Sequence, residues 1–157
     1  MQTQDLTTSP QPAASSDDAT PAVAGQPLVW LRVEGLAALL AGAAIYVSLG
    51  GWLVLLIPLL LAVDVSMVGY LAGPRPGAFL YNLAHNWATG LAVLAVGAWT
   101  GAGPLLLAGA ILVGHTGMDR VAGYGLKYPT AFADTHLGRL GGGRTRATAD
   151  AAGATAR

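Results

Sequence analysis

The stretch LVWLRVEGLAALLAGAAIYVSLGGWLVLLIPLLLAVDVSMVGYLA, Leu28 to Ala72, decides the fold. It is apolar almost throughout, carries only Arg32, Glu34 and Asp64 as charges, and is interrupted by one turn signal, Gly50-Gly51. A bilayer core of about 30 Å needs about 20 residues of helix, and the runs 28–49 and 51–72 each supply that length. Further along, Gly73-Pro74-Arg75-Pro76-Gly77 and Gly101-Ala102-Gly103-Pro104 delimit two more runs of the same kind, 77–99 and 104–124. Connections this short force antiparallel neighbours. The expectation is an all-α integral membrane four-helix bundle, up-down-up-down. Gly35, Ala38 and Gly42 in the first run, and Ala110, Gly114 and Gly117 in the last, are small residues at a spacing that lets membrane helices approach closely. Pro58 is expected to kink the second span, which neighbouring helices tolerate.

Composition supports this class. Of 157 residues 54% are hydrophobic and 10% charged, where a soluble domain carries about 25% charged residues. The absence of Cys excludes a disulfide-stapled module and any Cys-ligated zinc or iron–sulfur centre. Eight basic residues balance eight acidic ones, which argues against a nucleic-acid partner. The partner implied is the lipid bilayer.

The charges are sorted. Arg32, Arg75, Arg120, Lys127, Arg139, Arg144, Arg146 and Arg157 all fall at one end of the expected bundle, and the loops near residues 50 and 102 carry none. The positive-inside rule then places both termini in the cytoplasm of a cell with an inner membrane, with Trp30 anchoring one boundary and Trp52 and Trp99 the other. Residues 1–27 and 142–157 are polar or Gly/Ala/Thr/Arg-rich and are expected to be disordered tails. The first of them lacks the basic start of a signal peptide. The segment 125–141 is too polar to cross, and its pattern of Tyr128, Phe132, Leu137 and Leu140 suits an interfacial position.

Ionisable groups inside membrane spans are costly and mark sites. At 1.5 Å per residue, Glu34 lies about 9 Å into its helix and His85 about 12 Å into its own; Asp64 and His115 lie about 12 Å before the ends of theirs. Asp119 follows His115 by one turn on the same face. Every helix is thus expected to contribute an acid or imidazole to one layer near the cytoplasmic end. Tyr81, Asn82, His85, Asn86 and Thr89 add a polar stripe along the third helix. Asp64, His85, His115 and Asp119 have the composition of a site for one divalent ion, zinc, manganese or iron. Glu34 or His136 would then serve as base or acid, and Arg120 would neutralise an anionic group. Asp134 and His136 would cap the mouth. No contiguous ligand motif is present.

The blocks LRVEGLAAL (31–39), DVSMVGYLAGPRPGAFLYNLAH (64–85) and GHTGMDRVAGYGLKYPTAFADTHLGRLG (114–141) resemble a family of small bacterial membrane proteins, domain of unknown function 4260. In that family a Pro often precedes the acid corresponding to Asp64, where this chain has Val63. The resemblance implies a bacterial multi-span membrane protein and brings no activity with it. There is a looser similarity to membrane-bound metal-dependent hydrolases, whose short apolar helices carry His and Asp.

Three functions remain open on the residues alone. A metal-dependent hydrolase would act on an amphipathic substrate drawn from the leaflet. A small proton- or ion-coupled transporter would use the layer as a relay; the outer half, which has no ionisable group beyond Tyr46, disfavours it unless a homo-oligomer supplies a path. A structural or accessory protein would use the polar layer only to set packing.

Overall fold

The computed structural model describes residues 23–140. The expected disordered tails therefore lie largely outside the described residues, although Gly25, Gln26 and Pro27 already belong to the first helix. The elements are α1 (Gly25–Ser48), α2 (Leu53–Ala62) continued by a 3-10 helix (Val63–Ala72), α3 (Pro74–Ala84), α4 (Trp87–Thr100) and α5 (Gly103–Ala122). A small antiparallel hairpin follows, β1 (Asp134–Thr135) and β2 (Gly138–Arg139). Three helical stretches, Gly25–Ser48, Leu53–Ala72 and Gly103–Ala122, are long and apolar enough to cross a membrane.

One expectation needs correction here. The run 77–99 is not one helix: it breaks at His85 and Asn86 into α3 and α4. The segment after α5 holds a hairpin, with Asp134 paired to Arg139 and Thr135 to Gly138.

α5 is the central helix. In the span-length windows, 56% of its residues are buried, against 11% in the other two. The α1–α5 contact runs backbone to backbone: a Cβ on Gly42 would stand 2.6 Å from the Ala110 carbonyl oxygen, and one on Gly35 would stand 2.8 Å from that of Gly117. Without a hydrophobic drive between helices in lipid, such close van der Waals packing holds them together. Tyr46, Leu60, Ala110 and Ile111 form the apolar core at the other end. The outward side chains are lipid-like: Val54 is 76% exposed and Leu71 88%.

Packing divides the bundle into two groups. α1 and α4 lie against α5, while α3 lies against the 3-10 helix. α2 touches α5 lightly, and α3 and α4 barely touch each other. A ten-residue 3-10 helix is long for its kind, and it carries Asp64 at its start.

Candidate metal centre

The break in the third hydrophobic run creates the site. His85 leaves helical geometry (φ −109°, ψ 29°) and Asn86 is extended (φ −121°, ψ 153°). Asn86 satisfies both helix ends. Its Oδ1 accepts from the Thr89 N–H at 2.9 Å, capping α4, and its Nδ2 donates to the Asn82 carbonyl at 2.6 Å. The carbonyl that the break frees on His85 accepts from Arg120 Nη2 at 3.1 Å, and Arg120 Nη1 donates to the Tyr124 carbonyl. Arg120 is only 5% exposed, so a buried guanidinium props the break open from α5. The His85 ring is thereby turned inward and is fully buried.

Four side chains converge beside it. His85 Nε2 lies 3.3 Å from Asp64 Oδ1 and 3.9 Å from Asp119 Oδ2; His115 Nε2 lies 3.6 Å from Asp64 Oδ1 and 3.7 Å from Asp119 Oδ1. Two ligand atoms of a tetrahedral ion at 2.0–2.1 Å stand about 3.4 Å apart, close to these separations. One ligand atom each from Asp64, His85 and His115 fall within 4.8 Å of one another, so this triad is geometrically compatible with one divalent ion. Asp119 stands outside that triad, against both imidazoles.

Hydrogen bonding sets the ring states. His85 Nδ1 is 2.8 Å from the Tyr81 carbonyl, an acceptor only, so Nδ1 carries the proton. In the neutral ring Nε2 then presents its lone pair to Asp64, an arrangement that repels unless a cation lies between. Metal-bound histidines usually donate their other N–H to a carbonyl or carboxylate in this way. His115 is more telling. It is fully buried, and neither ring nitrogen has a hydrogen-bond partner. Native proteins rarely leave such groups unpaired.

Tyr81 donates from its hydroxyl to Asp119 Oδ2 at 2.7 Å, and its ring stacks on His85 at 3.7 Å. Over the other side of the phenol lies Lys127 Nζ, 4.7 Å from the ring centroid; it also donates to the Phe132 carbonyl at 2.9 Å. Burial pushes the Lys127 ammonium below its ordinary range, against the opposing pull of Asp119 and Asp64. The neighbouring Asn82 fastens this segment, accepting from the Lys127 N–H at 2.7 Å and donating to the Lys127 carbonyl at 2.8 Å. The residues after α5 thus close over the cluster. The Asp64 side chain, 34% exposed, is its most open member.

The residues expected at the site divide into two sets. Asp64, His85, His115 and Asp119 meet. Glu34 does not join them: it is exposed on α1, so α1 supplies no ionisable ligand to the layer. Arg120 is buried but engaged with carbonyls. His136 is exposed, and its Nδ1 accepts from the Leu126 N–H at 2.7 Å. Partial desolvation of its ring against the Leu126 segment lowers its pKa below the ordinary 6.5, with the carbonyl of Leu126 opposing and Arg120 adding to the shift. Asp134 pairs with Arg139 at 3.7 Å and accepts from Thr130, holding the hairpin. Lys127, which the sequence marked only as one of the basic residues at that end of the bundle, turns inward and is buried; the signal available was its place among Tyr124, Tyr128 and Phe132.

Fold and site together define a multi-span helical membrane protein with a buried His–Asp cluster able to hold a divalent ion. Residues 28–140 match the domain of unknown function DUF4260, and the chain belongs to that family. No curated protein and no solved structure matches the chain.

Proposed function

We propose that this chain is a metal-dependent hydrolase of the inner membrane, acting on an amphipathic substrate. His115 carries the reading. A fully buried imidazole with both nitrogens unpartnered costs about 1–3 kcal/mol for an unmet group, and its Nε2 lies between two carboxylates at 3.6 and 3.7 Å. A shared cation would partner Nε2 and offset both carboxylates. Asp64, His85 and His115 would hold it, with Asp119 as the fourth group beside them. Mixed imidazole and carboxylate donors suit zinc, manganese or iron. When bound, such an ion lowers the pKa of a coordinated water and polarises a substrate oxygen. The placements of Glu34, His136 and Arg120 lend no support to the catalytic roles expected of them; Arg120 shapes the break that turns His85 inward.

The substrate class rests on a neighbouring feature. An apolar cavity of about 790 Å³ lies along α2 and α5, from Gly51 and Pro104 to Val63 and Leu112. Val63 adjoins Asp64, and Leu112 is three residues from His115. A hydrocarbon chain lying there would bring its polar end to the cluster.

In this reading α3 and α4 together make one interrupted span, giving four spans with both termini in the cytoplasm. The domain limits are a membrane unit over 28–124 and an interfacial segment over 125–141. The sorted basic residues support that orientation, and reporter fusions at the termini and near residues 50 and 102 test it. Metal analysis of detergent-purified protein tests the site. Near-stoichiometric metal in the wild type, lost in both His85→Ala and His115→Ala, is expected; metal-free wild type purified without chelator and refusing added zinc and manganese would overturn the proposal.

A further inference from the structure

We infer that Tyr81 is the positioning residue of the metal centre, one side chain and its own carbonyl orienting two of the groups around the ion. The inference rests on the metal-site reading above. His85 is held by the Tyr81 backbone: Nδ1–H donates to the Tyr81 carbonyl at 2.8 Å, which points Nε2 at Asp64. The ring plane of His85 is set by the phenol stacked on it, with centroids 3.7 Å apart and planes 13° from parallel. Asp119 is held by the Tyr81 hydroxyl at 2.7 Å, a charge-assisted bond of the stronger kind. That bond occupies Oδ2 and leaves Oδ1 facing His115 Nε2 at 3.7 Å.

The helix makes this possible. Tyr81 and His85 are four residues apart at the end of α3, so they share a face. At the break the His85 ring turns back along that face and bonds the carbonyl one turn below. Tyr81 itself is 3% exposed, packed between His85 and the Lys127 ammonium. Its rotamer is therefore fixed from both faces of the ring. A rigid donor of this kind keeps the carboxylate in place before an ion arrives, which lowers the ordering cost of binding.

The test is titration of the detergent-purified full chain with Co²⁺, read by its visible d–d bands, and with Zn²⁺ by competition. Tyr81→Phe keeps the ring, the stack and the carbonyl and removes only the hydroxyl. Removing such an outer partner costs 10- to 100-fold in metal affinity; that loss, with altered Co²⁺ bands, is the expected result. The phenol acts through Asp119, so Tyr81→Phe added to Asp119→Asn should change affinity less than threefold further, a non-additivity characteristic of coupled groups. Wild-type Co²⁺ binding with Tyr81→Phe within threefold of it overturns the positioning role and leaves the metal site standing. A wild type that binds neither ion overturns both. Should Tyr81→Phe not fold, Asp119→Asn alone must weaken Co²⁺ binding at least tenfold, and full affinity in that variant overturns the inference.

Discussion

Replacing His115 by Leu should stabilise the protein in chelator and destabilise it, relative to wild type, in saturating metal. His115 is fully buried with no partner for either ring nitrogen. A buried unsatisfied polar group costs about 1–3 kcal/mol, and replacing it by an apolar group of similar size removes that cost without opening a large cavity. The metal-free variant should therefore be about 1–3 kcal/mol more stable. With metal the sign reverses. An ion at about a thousand times its dissociation constant stabilises the wild type by about 4.1 kcal/mol, more than the about 1–3 kcal/mol the variant gains, and a variant lacking one of three ligands forfeits most of this. The assay is reversible unfolding of the detergent-solubilised protein, run with a chelator and with zinc. The two proteins should change rank between the conditions. Wild type ranking above His115→Leu by the same margin in both would refute the reasoning, because it would mean that the imidazole is stabilised by something other than an ion.

Three further outcomes are expected. Gly42→Val should cost more than about 1–3 kcal/mol, the usual range for overpacking, because its Cβ would meet the Ala110 carbonyl oxygen at 2.6 Å and the Gly114 nitrogen at 2.7 Å, both backbone. Gly103→Ala, where a Cβ meets open space, should be within about 0.5 kcal/mol of wild type in the same unfolding assay. The segment around Leu126 and His136 should loosen as pH falls below 6.5. The His136 pKa is lowered in the folded state, so the unfolded segment binds more protons in the window between the folded value and 6.5. Stability from this contact is thus complete above that window and lost on descending through it. Protonation also removes the Nδ1 lone pair that accepts from the Leu126 N–H. Amide exchange at Leu126 measured at pH 7.5 and pH 5 reads this directly; equal protection at the two values would refute it.

Much of the site was legible because charge inside an apolar run is so conspicuous. Asp64, His85, His115 and Asp119 stand out against Leu, Val and Ala, and helical rise puts all four at comparable depth. Depth is what a linear sequence measures well; rotation about the helix axis is what it measures poorly. Glu34 shows the difference: its height suited the layer, but it lies on the outward side of α1. The break after His85 was missed because Asn82, Asn86 and Thr89 suit the periodicity of one continuous polar stripe. The overlooked signal was the Asn86-x-x-Thr89 pair, an N-cap residue followed three positions later by the amide it caps. The 3-10 winding of Val63–Ala72 had no such marker: Asp64, Ser66 and Gly69 set it apart from the Leu-rich α2, but no side-chain cap or proline marks the change of winding. The hairpin after α5 depends on Asn82 gripping Lys127 from 45 residues away, a contact no local pattern reports.

The division of the bundle into two packing groups bears on what an ion would do mechanically. His115 and Asp119 ride on α5 with α1 and α4, while Asp64 rides on the 3-10 helix beside α3, whose end carries His85. The ligands therefore come from both sides of a seam that is also crossed by the hydrogen bonds of Tyr81 to Asp119, Arg120 to the His85 carbonyl and Asn82 to Lys127. An ion there would be a rivet through the seam, adding to those bonds. Any load that spreads the bodies apart, such as bilayer thinning or a bulky molecule wedged along α2, would also stretch the coordination sphere, so metal affinity would register the lateral stress on the protein.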